Sequence, residues 1–300
     1  MEQEVEILSE NITLAGTLTR PDNPKAMVVF AHGSGPVDRN ENTQTAPLEV
    51  FSTLAQTLCD HRIASLRYDK RGIGGSTGDF FSAGQQLLVS DLRSVAEYAS
   101  DIMPVPLFLC GHSEGTYLAP DVALKVNLKG LVLICPYLQS GYDILINQVS
   151  RYDAKIASLP GFKGWFTRRW LDLVGWPTTQ QRRFMHKVMK SDLPILRRAG
   201  KNIPVTWLRD IIQSDPALVH AGYIIPTLIL TAEFDVQCDP ADGPKIAMLG
   251  PERISIQLDG LSHILRQTDC ADIEDYARQL GEPIDPVVGQ KMIEWLEDQL

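Results

Sequence analysis

The apolar run Leu107-Phe-Leu-Cys ends in Gly111-His-Ser-Glu-Gly115, so a strand pattern feeds straight into a G-x-S-x-G turn and then into the helical pattern Thr116-Tyr-Leu-Ala. Few features limit a fold as tightly. A strand that reverses sharply into a helix needs glycines two residues either side of the central serine, because side chains there would block the close approach of the two elements. The serine is left on a tight, exposed turn, which marks Ser113 as a candidate nucleophile. A bare G-x-S-x-G is a weak signal, and the strand before it and helix after it are what make this one specific.

The rest of the chain has to supply a sheet for that strand. Apolar runs expected as strands fall at 26–31, 63–68, 105–110, 128–135, 224–231 and 254–258, separated by helical patterns such as Leu88, Leu92, Val95 and Ala99. This alternation predicts a mostly parallel central sheet with helices on both faces. Near-continuous runs such as Met27-Val-Val-Phe suit strands buried on both sides. Further helices are expected over 47–61 and 287–300, and an antiparallel strand pair within the first 20 residues. From 137 to 220 the alternation breaks into helical pieces punctuated by Pro160, Gly161, Gly175, Pro177 and Pro194. The expected division is therefore a core domain from 1–136 and 221–300, carrying a helical cap inserted at 137–220. Trp165, Trp170 and Trp176 in that insertion are candidates for lining a substrate pocket, and equally for packing its helices together.

Composition excludes several classes. With 300 residues, 44% hydrophobic and 22% charged, the chain is neither disordered nor too small for a large core. No apolar run reaches the roughly 18 residues of a membrane span, and the acidic start Met1-Glu-Gln-Glu lacks the order of a signal peptide, so a cytoplasmic location is expected. Five scattered cysteines without C-x-x-C spacing predict reduced thiols and neither a zinc site nor a disulfide framework. The net charge of −9 conceals an asymmetry: residues 141–215 hold 13 Lys or Arg against six Asp, a balance of +7, and the remainder has 15 basic against 31 acidic residues, −16. A solvated basic face explains this plainly, and attraction of an anionic substrate or partner is the functional alternative. Nucleic acid is not an expected partner of so acidic a chain without a binding module. A homodimer is compatible with the sequence without being required by it.

A serine nucleophile needs a neutral imidazole as base and a carboxylate to orient it. Of six histidines, His263 is best placed, in Leu258-Asp-Gly-Leu-Ser-His just after the last expected strand. His112, beside the serine, is expected to point elsewhere. Asp235, in Leu230-Thr-Ala-Glu-Phe-Asp after the preceding strand, is the expected acid, with Asp239, Glu233 and Asp143 as competitors. The oxyanion hole needs two backbone N–H groups, for which Glu114 and Ser34 in Ala31-His-Gly-Ser-Gly-Pro36 are the candidates. The glycine-rich Arg67-Tyr-Asp-Lys-Arg-Gly-Ile-Gly-Gly-Ser76 fits neither phosphate-loop pattern and is expected to be a structural turn held by Asp69 and Arg71.

Together, His32-Gly-Ser-Gly-Pro-Val-Asp-Arg39, Asp69-Lys-Arg-Gly-Ile-Gly-Gly-Ser76, Gly111-His-Ser-Glu-Gly115, Glu233-Phe-Asp235 and Gly260-Leu-Ser-His263 resemble the α/β-hydrolase family in its serine aminopeptidase-like and carboxylesterase branch. The resemblance spans about residues 10–300. It implies Ser113, Asp235 and His263 as a triad and a two-step acyl transfer without cofactor or metal. The implied substrates are esters, and a small-molecule ester with a small or medium acyl group or an aromatic one is the expected choice. The family's usual Asn before the histidine is replaced by Ser262. A serine aminopeptidase and an acyl thioesterase are the alternative activities, and a non-catalytic binding protein on the same fold is the alternative from another class.

Overall fold

The computed structural model describes residues 1–198 and 200–300. In chain order the elements are β1 (Glu2–Ser9), β2 (Ile12–Thr19), β3 (Ala26–Ala31), α1 (Val50–Asp60), β4 (Ile63–Tyr68), α2 (Gln85–Ile102), β5 (Leu107–His112), α3 (Gly115–Ala123) and β6 (Gly130–Ile134). Then come α4 (Gly141–Ala157), α5 (Gly161–Val174), α6 (Pro177–Met189), β7 (Ile195–Arg198), β8 (Lys201–Pro204) and α7 (Val205–Gln213). The chain closes with α8 (Pro216–Ala221), β9 (Thr227–Ala232), α9 (Asp242–Ala247), β10 (Arg253–Leu258), α10 (Tyr276–Gln279) and α11 (Pro286–Asp298). Two compact units result: Met1–Phe80 with Gln85–Leu138 and Pro216–Leu300, and Phe81–Gly84 with Gln139–Asp215.

The first unit is built on a sheet ordered β1-β2-β4-β3-β5-β6-β9-β10, parallel from β4 to β10 and antiparallel at the β1 and β2 edge. Its strands explain their own sequences. The central β3, β4, β5 and β9 are buried at every position, as continuous apolar runs require, whereas edge strand β1 buries only Val5, Ile7 and Ser9 on alternate positions. Helices α1 and α11 cover one face, where Phe51 stacks on Phe30 at 4.6 Å and Trp295 meets Phe108 edge-on at 5.9 Å. Each such ring pair adds about 0.5–1.5 kcal/mol beyond its burial. Helices α2 and α3 pack against β3 and β5, and α2 buries the Leu88, Leu92, Val95 and Ala99 stripe read from the sequence. Helix α11 starts where Asp285 accepts the Val287 N–H with Pro286 in the first turn. The strand bounds differ from those expected by at most three residues, the largest difference being at the amino end of β9; β5 runs two residues past its expected end to His112 and delivers the chain directly to Ser113.

The second unit packs α4, α6 and α7 around Val188, Val205 and Leu208. Two close approaches fix it: a Cβ on Gly141 would lie 2.2 Å from the Ile211 carbonyl oxygen, and one on Gly84 would lie 2.5 Å from the Asp210 carboxylate. Gly84 thus ties the short segment before α2 to this unit. The interval also contains the antiparallel pair β7 and β8, which a helical reading of it does not anticipate. Their four-residue strands, Ile195-Leu-Arg-Arg and Lys201-Asn-Ile-Pro, are too short and too polar to show a period of two.

Candidate active site

Ser113 sits between the last residue of β5 and the first turn of α3 with φ +51°, the left-handed region that costs a non-glycine residue roughly 1–2 kcal/mol. The surroundings hold it there. Its N–H donates to the Ile134 carbonyl at 2.9 Å, and its carbonyl accepts from the Thr116 N–H at 3.0 Å and hydroxyl at 2.6 Å. The flanking glycines are sterically required: a Cβ on Gly111 would lie 2.4 Å from the Gly115 carbonyl oxygen, and one on Gly115 would lie 2.0 Å from the Ala31 carbonyl oxygen.

Asp235 and His263 are brought together from the loops after β9 and β10. His263 Nδ1 lies 2.7 Å from Asp235 Oδ2, with both side chains buried. The other carboxylate oxygen, Oδ1, accepts the Gln237 N–H at 2.7 Å and the Cys238 N–H at 2.9 Å. Burial works against ionisation of this carboxyl, but the His263 ring and these two amides outweigh it and hold Asp235 below its ordinary value. The competing acids are engaged locally. Glu233 accepts the Gly260 N–H at 2.8 Å, Asp239 accepts the Ala241 N–H at 3.0 Å, and Asp143 lies in the first turn of α4 beside its cap Ser140.

Cys238 joins this group, a role the sequence does not signal. Its thiol lies beside Ser113, and its sulfur, an Asp235 oxygen and a His263 nitrogen all lie within 4.8 Å of one another. Burial, with the Asp235 charge next to it, pushes the thiol well above its usual range, so Cys238 is a neutral neighbour of the serine. Its sulfur therefore links Ser113 spatially to the Asp235 and His263 pair.

A second layer of buried charge lies beneath these residues. His112 turns away from the serine, as expected, and its Nδ1 lies 2.6 Å from Glu41 Oε2. It also faces the base: Nε2 lies 3.1 Å from the His263 carbonyl oxygen and the two rings are 5.0 Å apart. Both His112 nitrogens thus face acceptors, which only an imidazolium satisfies. Burial alone would lower its pKa, but the Glu41 charge and hydrogen bond raise it above its ordinary value; the same partnership holds Glu41 below its own against the opposing effect of burial. The remaining Glu41 oxygen accepts the Gly33 N–H at 2.6 Å. This carboxylate therefore joins the loop after β3 to the elbow, and His112 carries the connection on to the histidine loop.

The loop after β3 is held from its other side by Lys70, whose ammonium donates to the carbonyls of Gly33 at 2.5 Å and Gly35 at 3.0 Å and faces Glu114 at 3.6 Å. Gly33 stands against the serine, since a Cβ there would lie 3.4 Å from Ser113 Cβ. The Gly33 N–H is committed to Glu41, and the Ser34 and Gly35 N–H groups have no acceptor among the described residues. The remainder of the glycine-rich turn after β4 is structural: Asp69 accepts from Arg39 and from the Gly75 N–H, and Arg71 makes a two-pronged pair with Asp91 at 2.7 Å. Lys70 is the exception within it. In the second unit, Trp165 and Trp170 stand about half exposed on α5, and the Trp176 indole donates to Asp172 at 3.1 Å.

A family model described as serine aminopeptidase, S33, matches residues 22–258. Esterase EstD of Thermotoga maritima is 23% identical over 260 residues, which is 84% of this chain and 58% of that protein, so the chain spans little more than half of this relative's length. Among solved structures, Est1E from Butyrivibrio proteoclasticus with bound ferulic acid superposes with a TM-score of 0.64 at 17% identity, covering 98% of both chains. A thermophilic esterase from Thermogutta terrifontis with bound malate gives 0.59 at 17% identity over 99% of both. These likenesses show the same α/β-hydrolase fold.

Proposed function

The chain belongs to the serine aminopeptidase S33 family, and on that premise we propose that it is a serine hydrolase cleaving carboxylic esters through an acyl-enzyme. The observation that carries the reading is the buried contact between Asp235 and His263, next to a serine held on a strand-to-helix turn. In this mechanism His263 donates its Nδ1 proton to Asp235, which fixes the tautomer that leaves Nε2 free to accept the Ser113 proton. Ser113 Oγ bonds to the ester carbonyl carbon, and the oxygen that gains charge is held by the Ser34 and Glu114 N–H groups. His263 returns the proton to the leaving alcohol, then takes one from water as it attacks the acyl-enzyme and releases the acid. Lys70 and Glu41 act earlier than any of these steps, by fixing which way the amides of the loop after β3 point.

An ester is favoured over an N-terminal aminoacyl substrate by the position of Glu114. That carboxylate, the nearest in sequence to the serine, is buried and faces Lys70, so it is not presented to a substrate ammonium. Small or medium acyl groups and aromatic ones are the proposed substrates, and the ferulic acid bound to Est1E supports the aromatic choice. Thioesters remain the second class to assay. The second unit is proposed to act as the cap that selects among them, and the cytoplasm as the place of action. Replacing Ser113 by Ala is expected to lower hydrolysis of p-nitrophenyl butyrate by roughly 10⁴-fold or more while leaving the melting temperature unchanged. Retained hydrolysis would overturn the reading, and so would aminoacyl anilides turning over faster than the esters.

A further inference from the structure

Helix α5 reverses the usual arrangement of a surface helix. Its inner stripe is short, with Gly164 and Leu171 buried, and its packing partner within the second unit is α4. Its outer face carries Phe162 at 76% exposure, Leu173 at 87% and Phe166 at 58%, flanked by Trp165 at 51% and Trp170 at 53%. A surface helix normally turns polar residues outward, so an apolar outer stripe over 14 residues is a surface awaiting a partner. The rings are also gathered: Phe162 lies 5.7 Å from Trp165 and 6.5 Å from Phe166, with the planes inclined at 26° and 29°.

The charges around this stripe say what the partner is. Lys163 is exposed at the edge of this stripe and Arg169 within it, on the face shared by Phe166 and Leu173, and the one acidic residue of the helix, Asp172, is engaged by Arg169 at 3.8 Å and by the Trp176 indole. The wider segment 141–215 carries 13 basic residues against six acidic ones. Aromatic and leucine side chains on one face with basic residues beside them are the pattern of a helix that lies in a bilayer's headgroup region. At this length it would rest on the surface, since among the described residues no helix is long and apolar enough to cross a membrane. A second copy of the same face is a poor occupant, because two segments of equal positive charge repel.

We propose that α5 is a docking surface for an anionic phospholipid bilayer, with Phe162, Phe166 and Leu173 entering the acyl boundary, the two tryptophans at headgroup level, and Lys163 and Arg169 on the phosphates. This role is independent of the serine chemistry, because lipid binding is read without turnover. The test is sedimentation of the full chain with vesicles of phosphatidylcholine alone and of equimolar phosphatidylcholine and phosphatidylglycerol. The full chain should bind the anionic vesicles at least roughly tenfold more tightly, with a blue shift of tryptophan emission. Phe162→Ser with Leu173→Ser should abolish binding while the circular dichroism spectrum is unchanged. Arg169→Gln should weaken it roughly fivefold, an effect lost at high salt. Should the double variant misfold, quenching of the native tryptophans by bromine-labelled acyl chains provides the same reading on the unaltered protein. The proposal is overturned if the chain binds neither vesicle, if the double variant binds as well as the native chain, if no quenching occurs, or if the face instead buries itself in a dimer seen by sedimentation velocity.

Discussion

The two units of this protein depart from ordinary surface and core composition in opposite directions. The sheet unit buries charge: Glu41, Lys70, His112 and Glu114 lie together beneath the serine turn with almost no solvent contact. The second unit exposes apolar area, along one face of α5. Ionic groups in an interior cost several kcal/mol each in desolvation unless their partners are well placed, so this cluster is a poor way to gain stability and a good way to fix geometry. It ties three loops that are far apart in sequence. An exposed apolar face likewise adds nothing to the stability of the isolated chain, and is explained by what it meets. In both units ordinary composition rules are broken where the proposed functions lie.

Two substitutions break this contrast from either side. The larger effect is expected for Glu41→Gln, which leaves the Gly33 amide a partner but takes the counter-charge from His112. A stability loss of roughly 3 kcal/mol is expected, at the lower end for a broken buried pair because His112 can shed its proton. The rate of ester hydrolysis should fall further than the Michaelis constant rises, as the loop after β3 and the base lose their common tie. The pH dependence follows from the directions of the two pKa values. His112 lies above its ordinary 6.5 in the folded protein, so its contribution is complete below that value and is lost as pH rises through the folded pKa. Glu41 lies below its ordinary 4.5, so its contribution is present above that value and is lost as pH falls through the folded pKa. The stability difference between native chain and Glu41→Gln, from denaturant titrations across pH, should therefore peak in between. A flat difference would show that the pair is not ionised.

The smallest effect is expected on the other side. Phe162→Ser should change unfolding free energy by less than about 0.5 kcal/mol, because an exposed ring loses little when removed. A loss above about 2 kcal/mol, the size of a core truncation, would mean that the face is covered within the chain itself.

Residues marked by local chemistry were legible in the sequence. Ser113 is announced by its glycines and flanking elements, and Asp235 and His263 each follow an apolar strand by a few residues, so the contact between them could be anticipated. The mostly parallel character of the sheet was legible for the same reason, since buried strands write continuous apolar runs, whereas the strand order was not. The second layer was not. Glu41 and His112 are 71 residues apart and Lys70 meets carbonyls 35 and 37 residues away, pairings that no spacing rule records. Cys238 reads as an inert thiol until the turn after Asp235 places it against the serine. Trp165 and Trp170 could be identified as important by their residue type, but only the helix shows which way they face.

The central claim, that Ser113 is the nucleophile, is tested most directly by treating the folded protein with a fluorophosphonate and mapping the adduct by peptide mass spectrometry. One adduct is expected, on Ser113, with its loss in His263→Ala. A folded protein that takes no label, or takes it on another residue while Ser113 stays unmodified, would contradict it.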